Sequence, residues 1–340
     1  MRNSLHAIGF ALSTFAALIS GAAAAQTVAD FKGATIGINI FGSVGGGYDT
    51  YGRVLARHYG RLIPGNPTVI PKNMPGGLRV ANYIYNVAPK DGTELGIFEA
   101  ANAMESLIGN DQAKFDAAKF GWIGSMNQEI QFCGLWQRPG SASSFQDMLT
   151  METIFGASTP ADILYKHPLV LKNVLGAKIR LVGGYAGSRG VNLAMQRGEV
   201  NGACAMSGSS IKAQYLQDVK EGRLKLVIQM GPTTTNDFGN VPSVYDYVKT
   251  DDDRKVLEFH FKQGMLGRPL AGPPGVSKER LAILRKAFQD TMKDADFLAD
   301  AQRANIDIDP ATGEQAEELL VQFGNYPRSV IEKARAAIMH

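Results

Sequence analysis

The sequence has few cysteines, few histidines and no long run of charge of one sign. Its 340 residues include 2 cysteines and 5 histidines. So few cysteines exclude a disulfide-rich scaffold and any metal site built from cysteine alone. The 35 basic and 32 acidic residues form no basic stripe of the kind that nucleic-acid-binding proteins carry. We therefore expect no nucleic-acid partner.

Motifs for metal or nucleotide chemistry are also missing. No His-Glu-x-x-His or comparable ligand spacing occurs, so no metal site is predicted. Gly45, Gly46 and Gly47 follow a predicted strand, but the third glycine of a dinucleotide motif would fall on Thr50. No Lys-Ser/Thr pair follows for a phosphate-binding loop. We expect neither a metal nor a cofactor.

The amino terminus carries an export signal. Arg2 precedes an apolar run from Ala7 to Ile19, and small residues follow as far as Ala25. This pattern predicts a secretory signal peptide over residues 1–25. A membrane anchor is the alternative, but the run is shorter than the ~20 residues that span a bilayer.

Export bears on the two cysteines. Because exported proteins meet an oxidising compartment, Cys133 and Cys204 are candidates for a disulfide. Two buried free thiols, packed as small hydrophobic side chains, are the alternative.

Short apolar runs alternate with amphipathic segments in two stretches of the chain. Strands are predicted at 34–40, 68–70 and 94–98 with helices between them, and again at 153–155 and 178–182. This alternation favours an α/β protein with two mixed, mostly parallel sheets flanked by helices. Ligands of such sheets bind at the carboxyl ends of strands, so we predict a cleft between two lobes. The predicted division is 26–129 with 231–340 for the first lobe, and 130–230 for the second.

The C-terminal segment is predicted to be helical. Ser277 is expected to cap a helix that ends near Lys293. Thr312 and Gln315 form a capping box for a second helical segment, which Pro327 should kink or split.

Two motifs offer different functions. The glycine loop before the first helix could hold a carboxylate, because glycines allow close approach and helix amides attract anions. A plain tight turn is the other interpretation of that loop. Ser209 and Lys212 match the Ser-x-x-Lys motif of exported penicillin-recognising enzymes, although their companion motifs do not follow downstream. An exported serine hydrolase is therefore the second hypothesis.

Several motifs in fixed order resemble one family. Val44-Gly45-Gly46-Gly47-Tyr48-Asp49 is similar to its Pro-Gly-Gly-Gly-Thr-Asp signature, and Asn73-Met74-Pro75-Gly76-Gly77 to its Asn-x-Pro-Gly-Ala-Gly-Gly. Loops at 156–159, 184–187 and 198–201 match later signatures. Over about residues 30 to 340, the chain resembles the Bug-type solute-binding proteins of tripartite tricarboxylate transporters.

The resemblance implies a bilobal periplasmic binding protein, type II-like, that performs no catalysis. It would bind a small carboxylate-bearing metabolite and deliver it, as a monomer, to the membrane permease subunits of a tripartite transporter. A ligand-carrying sensor for a membrane signalling partner is a further alternative. The ligand-binding residues that we expect from both lobes are Ser43, Gly46, Gly47, Tyr48, Asp49, Ser158, Thr159, Tyr185, Arg189 and Ser207.

Among these, Arg189 is assigned a specific role. The lysine usual in this family's loop is replaced by Ala186, and Arg189 lies three residues further on, between glycines. Its guanidinium suits a carboxylate, so we predict that it contacts the ligand from the second lobe. An exposed loop arginine without a ligand is the alternative.

Overall fold

A computed structural model of the chain describes residues 30–42, 44–160 and 162–339. The signal peptide predicted over residues 1–25 and the candidate ligand residue Ser43 lie outside the described residues.

Eleven strands are present in the described part of the chain. They are β1 (Thr35–Phe41), β2 (Thr68–Met74), β3 (Glu94–Ile97), β4 (Gly121–Ser125), β5 (Gln131–Trp136), β6 (Thr153–Gly156), β7 (Ile179–Val182), β8 (Gly202–Ser207), β9 (Leu224–Met230), β10 (Pro269–Gly272) and β11 (Ala311–Thr312).

The α-helices alternate with these strands and dominate the C-terminal third. They are α1 (Gly47–Tyr59), α2 (Arg79–Asn86), α3 (Asn102–Glu105), α4 (Phe145–Met148), α5 (Ile163–Leu175), α6 (Gly187–Arg197), α7 (Gly208–Ser210), α8 (Leu216–Lys220), α9 (Asp251–Phe261), α10 (Lys278–Thr291), α11 (Ala295–Arg303), α12 (Gly313–Gly324) and α13 (Arg328–Ala337).

The strands form two mixed sheets. The first has the order β11-β4-β10-β3-β1-β2, with β1 parallel to β2 and β3, and β10 antiparallel to β3 and β4. The second has the order β7-β6-β8-β5-β9, with β6 parallel to β7 and β8, and β5 antiparallel to β8 and β9. The predicted bilobal α/β architecture with two mixed sheets is confirmed, with one sheet in each lobe. The sheets are not mostly parallel as predicted, because β4, β5, β10 and β11 pair only in the antiparallel sense.

The chain enters the second sheet through residues 126–130 and leaves it after Met230. An apolar cluster continues from one lobe to the other, because it includes Phe98 beside the first sheet and Phe155 on the second. Helix α5 packs against α9 and α13 in this region. The two lobes therefore share packed surface behind the cleft.

Cys133 on β5 and Cys204 on β8 form a disulfide. The two strands are antiparallel neighbours, as expected for the strand that enters the second lobe. The bridge closes a segment with a sequence separation of 71 residues and lies within the second sheet.

The predicted capping motifs in the C-terminal segment are confirmed. The Ser277 hydroxyl accepts a hydrogen bond from the Arg280 amide, and Thr312 with Gln315 forms a capping box. Pro327 divides the last helical segment, because α12 ends at Gly324 and α13 begins at Arg328.

Two predicted boundaries were wrong. Strand β2 continues to Met74, since its whole length pairs with β1, whereas the sequence predicts a turn from Asn73. Helix α6 begins at Gly187, so Arg189 lies in a first helical turn and not in a loop. Buried Val191 and Ala194 on the inner face of α6 anchor that turn.

Candidate ligand-binding site

A small cavity of about 30 Å³, which opens to solvent, lies between the two sheets. Residues from both lobes line it: Tyr48 follows β1, Glu99 follows β3, and His167 comes from α5 of the second lobe. The other polar residues of the wall are Glu129, Gln131, His260, Gln263 and Arg268, and Ile163, Met230 and Phe261 are among its apolar members. The cavity is therefore a small cleft site with converging polar groups, as ligand sites usually are.

Arg268 is the central cation of this cavity. Its side chain is nearly buried, with 6% exposed, and its guanidinium carbon lies 4.3 Å from the ring centre of Tyr48 and 5.0 Å from that of Tyr51. Both distances are within the range of cation–π contact. A side chain held between two aromatic rings has little rotational freedom, so the guanidinium is fixed in place.

Glu129 balances the charge of Arg268. Its Oε1 lies 3.1 Å from Arg268 Nη2 and accepts hydrogen bonds of 2.8 Å from both Asn127 and Ser209. Gly267 allows this packing, since a Cβ there would lie 2.5 Å from Glu129 Cγ. Glu129 lies in the segment between the two sheets. It contacts the second lobe through Ser209, which follows β8, and the first lobe through Arg268, which precedes β10.

Buried polar atoms without a hydrogen-bond partner are concentrated at this cavity. Among the described residues, they include Arg268 Nε, Gln131 Oε1, Gln263 Oε1 and both ring nitrogens of His167. Since a buried polar group without a partner costs free energy, native proteins leave few of them. Their presence in one wall indicates that the cavity is built for a polar occupant.

Glu99 is a buried acid at the carboxyl end of β3. Burial raises its pKa from the ordinary 4.5 to about 8, and Asp162 and Glu105 add to the rise. The cations Lys166 and Arg268 lower the pKa, but not enough to offset burial. The carboxyl is consequently protonated at neutral pH in this structure.

The two histidines in the cavity wall, His167 and His260, are neutral. Burial lowers the pKa of His167 to about 3 and that of His260 to about 4. The His260 ring contacts the Ala334 carbonyl at 2.9 Å, whereas His167 packs edge-on against Phe261. Lys166, on the same helix as His167, forms a buried ion pair with Glu105.

The predicted glycine loop lies beside Arg268, and its aspartate forms hydrogen bonds within the loop. Gly47 begins α1, and a Cβ there would lie 3.2 Å from Arg268 Nη2. The Asp49 carboxylate is buried and accepts hydrogen bonds of 2.8 Å from the Gly45 amide and from Arg53. Although burial raises the pKa of Asp49, these hydrogen bonds outweigh it and hold the pKa below its ordinary value. Asp49 thus fixes the loop, and Tyr48 faces the cavity.

The residues predicted from the second lobe are not among those that line the cavity. Ser158 is buried and donates a hydrogen bond of 2.5 Å to Asp162, while Thr159 is exposed. The Tyr185 hydroxyl donates to Glu199 at 3.3 Å. Ser207 caps α7 and contacts Ser209 at 3.1 Å.

Arg189 is exposed and reaches across the mouth of the cleft. Its Nη2 donates a hydrogen bond of 3.4 Å to the carbonyl of Gly45 in the first lobe. In this structure Arg189 therefore connects the two lobes. Its contact with a ligand carboxylate stays a prediction.

The Ser-x-x-Lys motif has the wrong environment for a nucleophile and its base. Ser209 donates its hydroxyl to Glu129, and Lys212 pairs with Asp307 at 2.9 Å and Asp237 at 3.1 Å. Burial lowers the pKa of Lys212, but the two carboxylates outweigh it and raise the pKa above 10.5. A lysine base needs a lowered pKa, so this geometry does not favour hydrolysis.

Sequence reasoning missed most of the polar wall. Glu99 directly follows a predicted buried strand, and that position is a usable signal, since ligands bind at the carboxyl ends of strands. Arg268, Gln263 and His167 carry no comparable motif. Only the folded chain brings them to one cavity.

Neither a metal centre nor a membrane-spanning helix is found in the described part of the chain. Within 30–42, 44–160 and 162–339, no group of three or more histidine, cysteine or acidic side chains could hold a metal ion. Across the same ranges, no helix combines the length and apolar character needed to cross a bilayer.

Comparisons by sequence find no relatives, whereas comparisons by structure do. No protein-family model and no curated protein matches the chain. A TctC solute-binding protein from Polaromonas has a TM-score of 0.64 at 17% identity, covering 88% of this chain and 99% of that one.

Two further solved structures extend this likeness. An R. palustris protein solved with adipate has a TM-score of 0.68 at 13% identity, covering 90% of this chain and 98% of its own. The periplasmic binding protein BugD has a TM-score of 0.67 at 14% identity, covering 89% and 98%. The chain therefore has the fold of TctC- and Bug-type periplasmic binding proteins, and the resemblance predicted from the sequence is confirmed at the level of the fold.

Proposed function

We propose that this chain is a periplasmic receptor of the Bug type that binds a small carboxylate-bearing metabolite in its interlobe cavity. The fold supports this proposal, since structures of the same architecture are solute-binding proteins and one of them holds adipate. The disulfide between Cys133 and Cys204 is consistent with an exported protein.

One observation carries the proposal: Arg268 lines the cavity beside the start of α1, and its buried Nε–H has no hydrogen-bond partner among the described residues. The first amides of an α-helix have no partner within the helix and favour an anion. A carboxylate placed there would receive a charged hydrogen bond from Arg268 and backbone hydrogen bonds from Gly46 or Gly47.

The second lobe would complete the site when the lobes close. Ser158, Thr159 and Ser207 offer hydroxyl groups near the cleft, and Arg189 and Tyr185 lie toward its mouth. We keep the lobe division at residues 129/130 and 230/231, export by cleavage of residues 1–25, a monomeric state and delivery to transporter permease subunits as parts of the same proposal.

Calorimetry on the mature protein tests the carboxylate contact. Arg268→Lys retains the charge that balances Glu129 but removes the Nε–H group. Losing a charged hydrogen bond costs about 1.5–3 kcal/mol, which corresponds to a ~10–150-fold weaker Kd for a bound carboxylate. Arg280→Lys is the matched control, because Arg280 lies on α10 and its Nη1 contacts the carbonyl of Asp91.

The results separate the possible functions. Binding of mono- or dicarboxylates without turnover, weakened by Arg268→Lys and unchanged by Arg280→Lys, supports the receptor. Equal affinity of Arg268→Lys and wild type would refute the role of Arg268. Hydrolysis of an ester or a β-lactam that is lost in Ser209→Ala would replace the receptor by the hydrolase.

A further inference from the structure

We infer that the preferred ligand carries an ammonium group as well as a carboxylate, and that Glu99 is the counter-ion of this ammonium. The inference rests on the proposed function and narrows the ligand to amino-carboxylates. Two observations support it. The cations near Glu99 are paired with other carboxylates, and most of the unpartnered polar atoms in the cavity wall are hydrogen-bond acceptors.

Among the described residues, charge pairing leaves Glu99 without a cation of its own. Arg268 is balanced by Glu129, at 3.1 Å, and Lys166 is paired with Glu105. Glu99 is only 5% exposed and lines the cavity, so a cation bound there could pair with it. A buried carboxylate without a partner is costly, and a ligand cation would remove that cost.

The unpartnered atoms of the wall are mostly acceptors. Gln263, at 9% exposure, donates its amide to the His260 carbonyl at 2.6 Å, which leaves its Oε1 free. The Oε1 of Gln131 is also free, and a neutral His167 adds one acceptor nitrogen to its one N–H. Among the described residues, Arg268 Nε is the unpartnered charged donor in this wall. The wall residues thus carry three unpartnered acceptors and the Glu99 carboxyl against one free cationic donor, a set that complements a ligand with one carboxylate and several N–H groups.

A second carboxylate would fit this wall poorly. It would meet Glu99 and the amide oxygens, and Lys166 is already occupied by Glu105. A dicarboxylate could bind only to a protonated Glu99, which would donate one hydrogen bond. The two ligand classes therefore demand opposite protonation states of the same side chain.

The pH dependence distinguishes these classes. The charged groups that influence Glu99 are Asp162, Lys166, Glu105, Arg268 and the hydroxyl of Tyr48. The two nearby histidines stay neutral above pH 5, because their pKa values are about 3 and about 4. Between pH 6 and pH 8.5, Glu99 is thus the group of the wall whose charge changes. Ammonium binding should strengthen over this range, whereas dicarboxylate binding should weaken.

The experiment is calorimetry with matched ligands at pH 6 and pH 8.5. Each set has one carbon skeleton: succinate, 4-aminobutanoate and butanoate; adipate, 6-aminohexanoate and hexanoate; and propanoate with alanine. We expect an amino-carboxylate to bind at least tenfold more tightly than its amine-free partners at pH 8.5, with a smaller gap at pH 6. Glu99→Gln should remove most of that gap at pH 8.5, because it weakens binding of the amino-carboxylate and removes the repulsion of the dicarboxylate.

Failure of the inference and failure of the proposed function give different results. If dicarboxylates bind as tightly as the amino-carboxylates, or Glu99→Gln leaves the gap unchanged, the inference is overturned and the receptor stands. If no carboxylate in any set binds, the proposed function fails and the inference fails with it. A circular-dichroism melt shows whether Glu99→Gln is folded, and Glu332→Gln on the exposed surface is the matched control.

Discussion

Glu129 and Arg268 show at the scale of single residues how the cleft depends on buried charge. Replacing Glu129 by Gln would leave the buried guanidinium without its counter-ion. Breaking a buried pair in this way costs about 3–5 kcal/mol of unfolding free energy.

Urea denaturation checks this prediction with a chemically identical control. Glu332→Gln removes an exposed partner of Arg328, and such surface pairs contribute about 0–1 kcal/mol. Similar unfolding free energies for the two variants would show that the buried pair has no special role.

Glu99 should make the free protein less stable as pH rises. In the unfolded chain its carboxyl ionises near the ordinary pKa of 4.5, whereas in the folded chain it holds its proton up to about 8. Between these values the folded state binds more protons than the unfolded state, so stability falls with increasing pH.

Glu99→Gln should remove this dependence. The difference in unfolding free energy, variant minus wild type, should increase by at most ~1.4 kcal/mol per pH unit from pH 5 to pH 8. Above pH 8 it should change little. Denaturation at pH 5, 6.5 and 8 without ligand measures the difference. A difference that is constant with pH contradicts the raised pKa.

At this scale the sequence predicts positions better than roles. Tyr48, in the first turn of α1, lines the cavity, and its contact with a ligand stays a prediction. Asp49, predicted as a ligand residue, instead bonds its own loop, since a carboxylate four residues after a free amide can cap it. Arg268 follows no pattern because its importance comes from tyrosines and a glutamate distant in the sequence.

At the scale of elements, the disulfide between β5 and β8 should stabilise the second sheet. A bridge with a sequence separation of 71 residues restricts the unfolded chain and contributes ~4 kcal/mol in the chain-entropy model. We expect the double variant Cys133→Ala/Cys204→Ala to lose about this amount in urea denaturation.

Reduction provides the control for this prediction. Dithiothreitol should lower the unfolding free energy of wild type toward that of the double variant and leave the double variant unchanged. Equal stability of oxidised and reduced wild type would mean that the bridge does not act on folding.

The positions of helices and strands were easier to predict from the sequence than the contacts between them. Alternating apolar runs located both α/β units, and side-chain caps at Ser277 and Thr312 located two helix starts. The start of α6 could not be predicted, because side-chain packing determines it. The end of β2 could not be predicted either, because pairing with β1 determines it. The antiparallel β10 gives no local signal, since its partners β3 and β4 lie far away in the sequence.

At the scale of the whole molecule, a few exposed contacts bridge the cleft. Arg189 contacts Gly45, and Lys212 pairs with Asp307, which lies in the segment before β11. Ligand saturation should reduce the radius of gyration measured by X-ray scattering, because the lobes close on the ligand. An unchanged radius would contradict closure.

The size of the loss on removing Arg189 separates its two possible roles. If Arg189 only bridges the lobes, Arg189→Ala should weaken ligand binding about two- to fivefold, as for one exposed contact. If it contacts the ligand carboxylate, the loss should be ~10–150-fold. Calorimetry measures the difference, and Lys212→Ala is the control for a contact that only bridges the lobes.

The order of the strands along the chain has a consequence for biogenesis. All five strands of the second sheet come from the continuous segment between Gln131 and Met230, whereas the first sheet needs β10 and β11 from the last third of the chain. A chain that emerges from a translocation channel amino terminus first can therefore complete the second sheet, and oxidise Cys133 with Cys204, before the first sheet has all its strands. The inserted lobe would mature first, and the lobe that begins the chain would be the last to close.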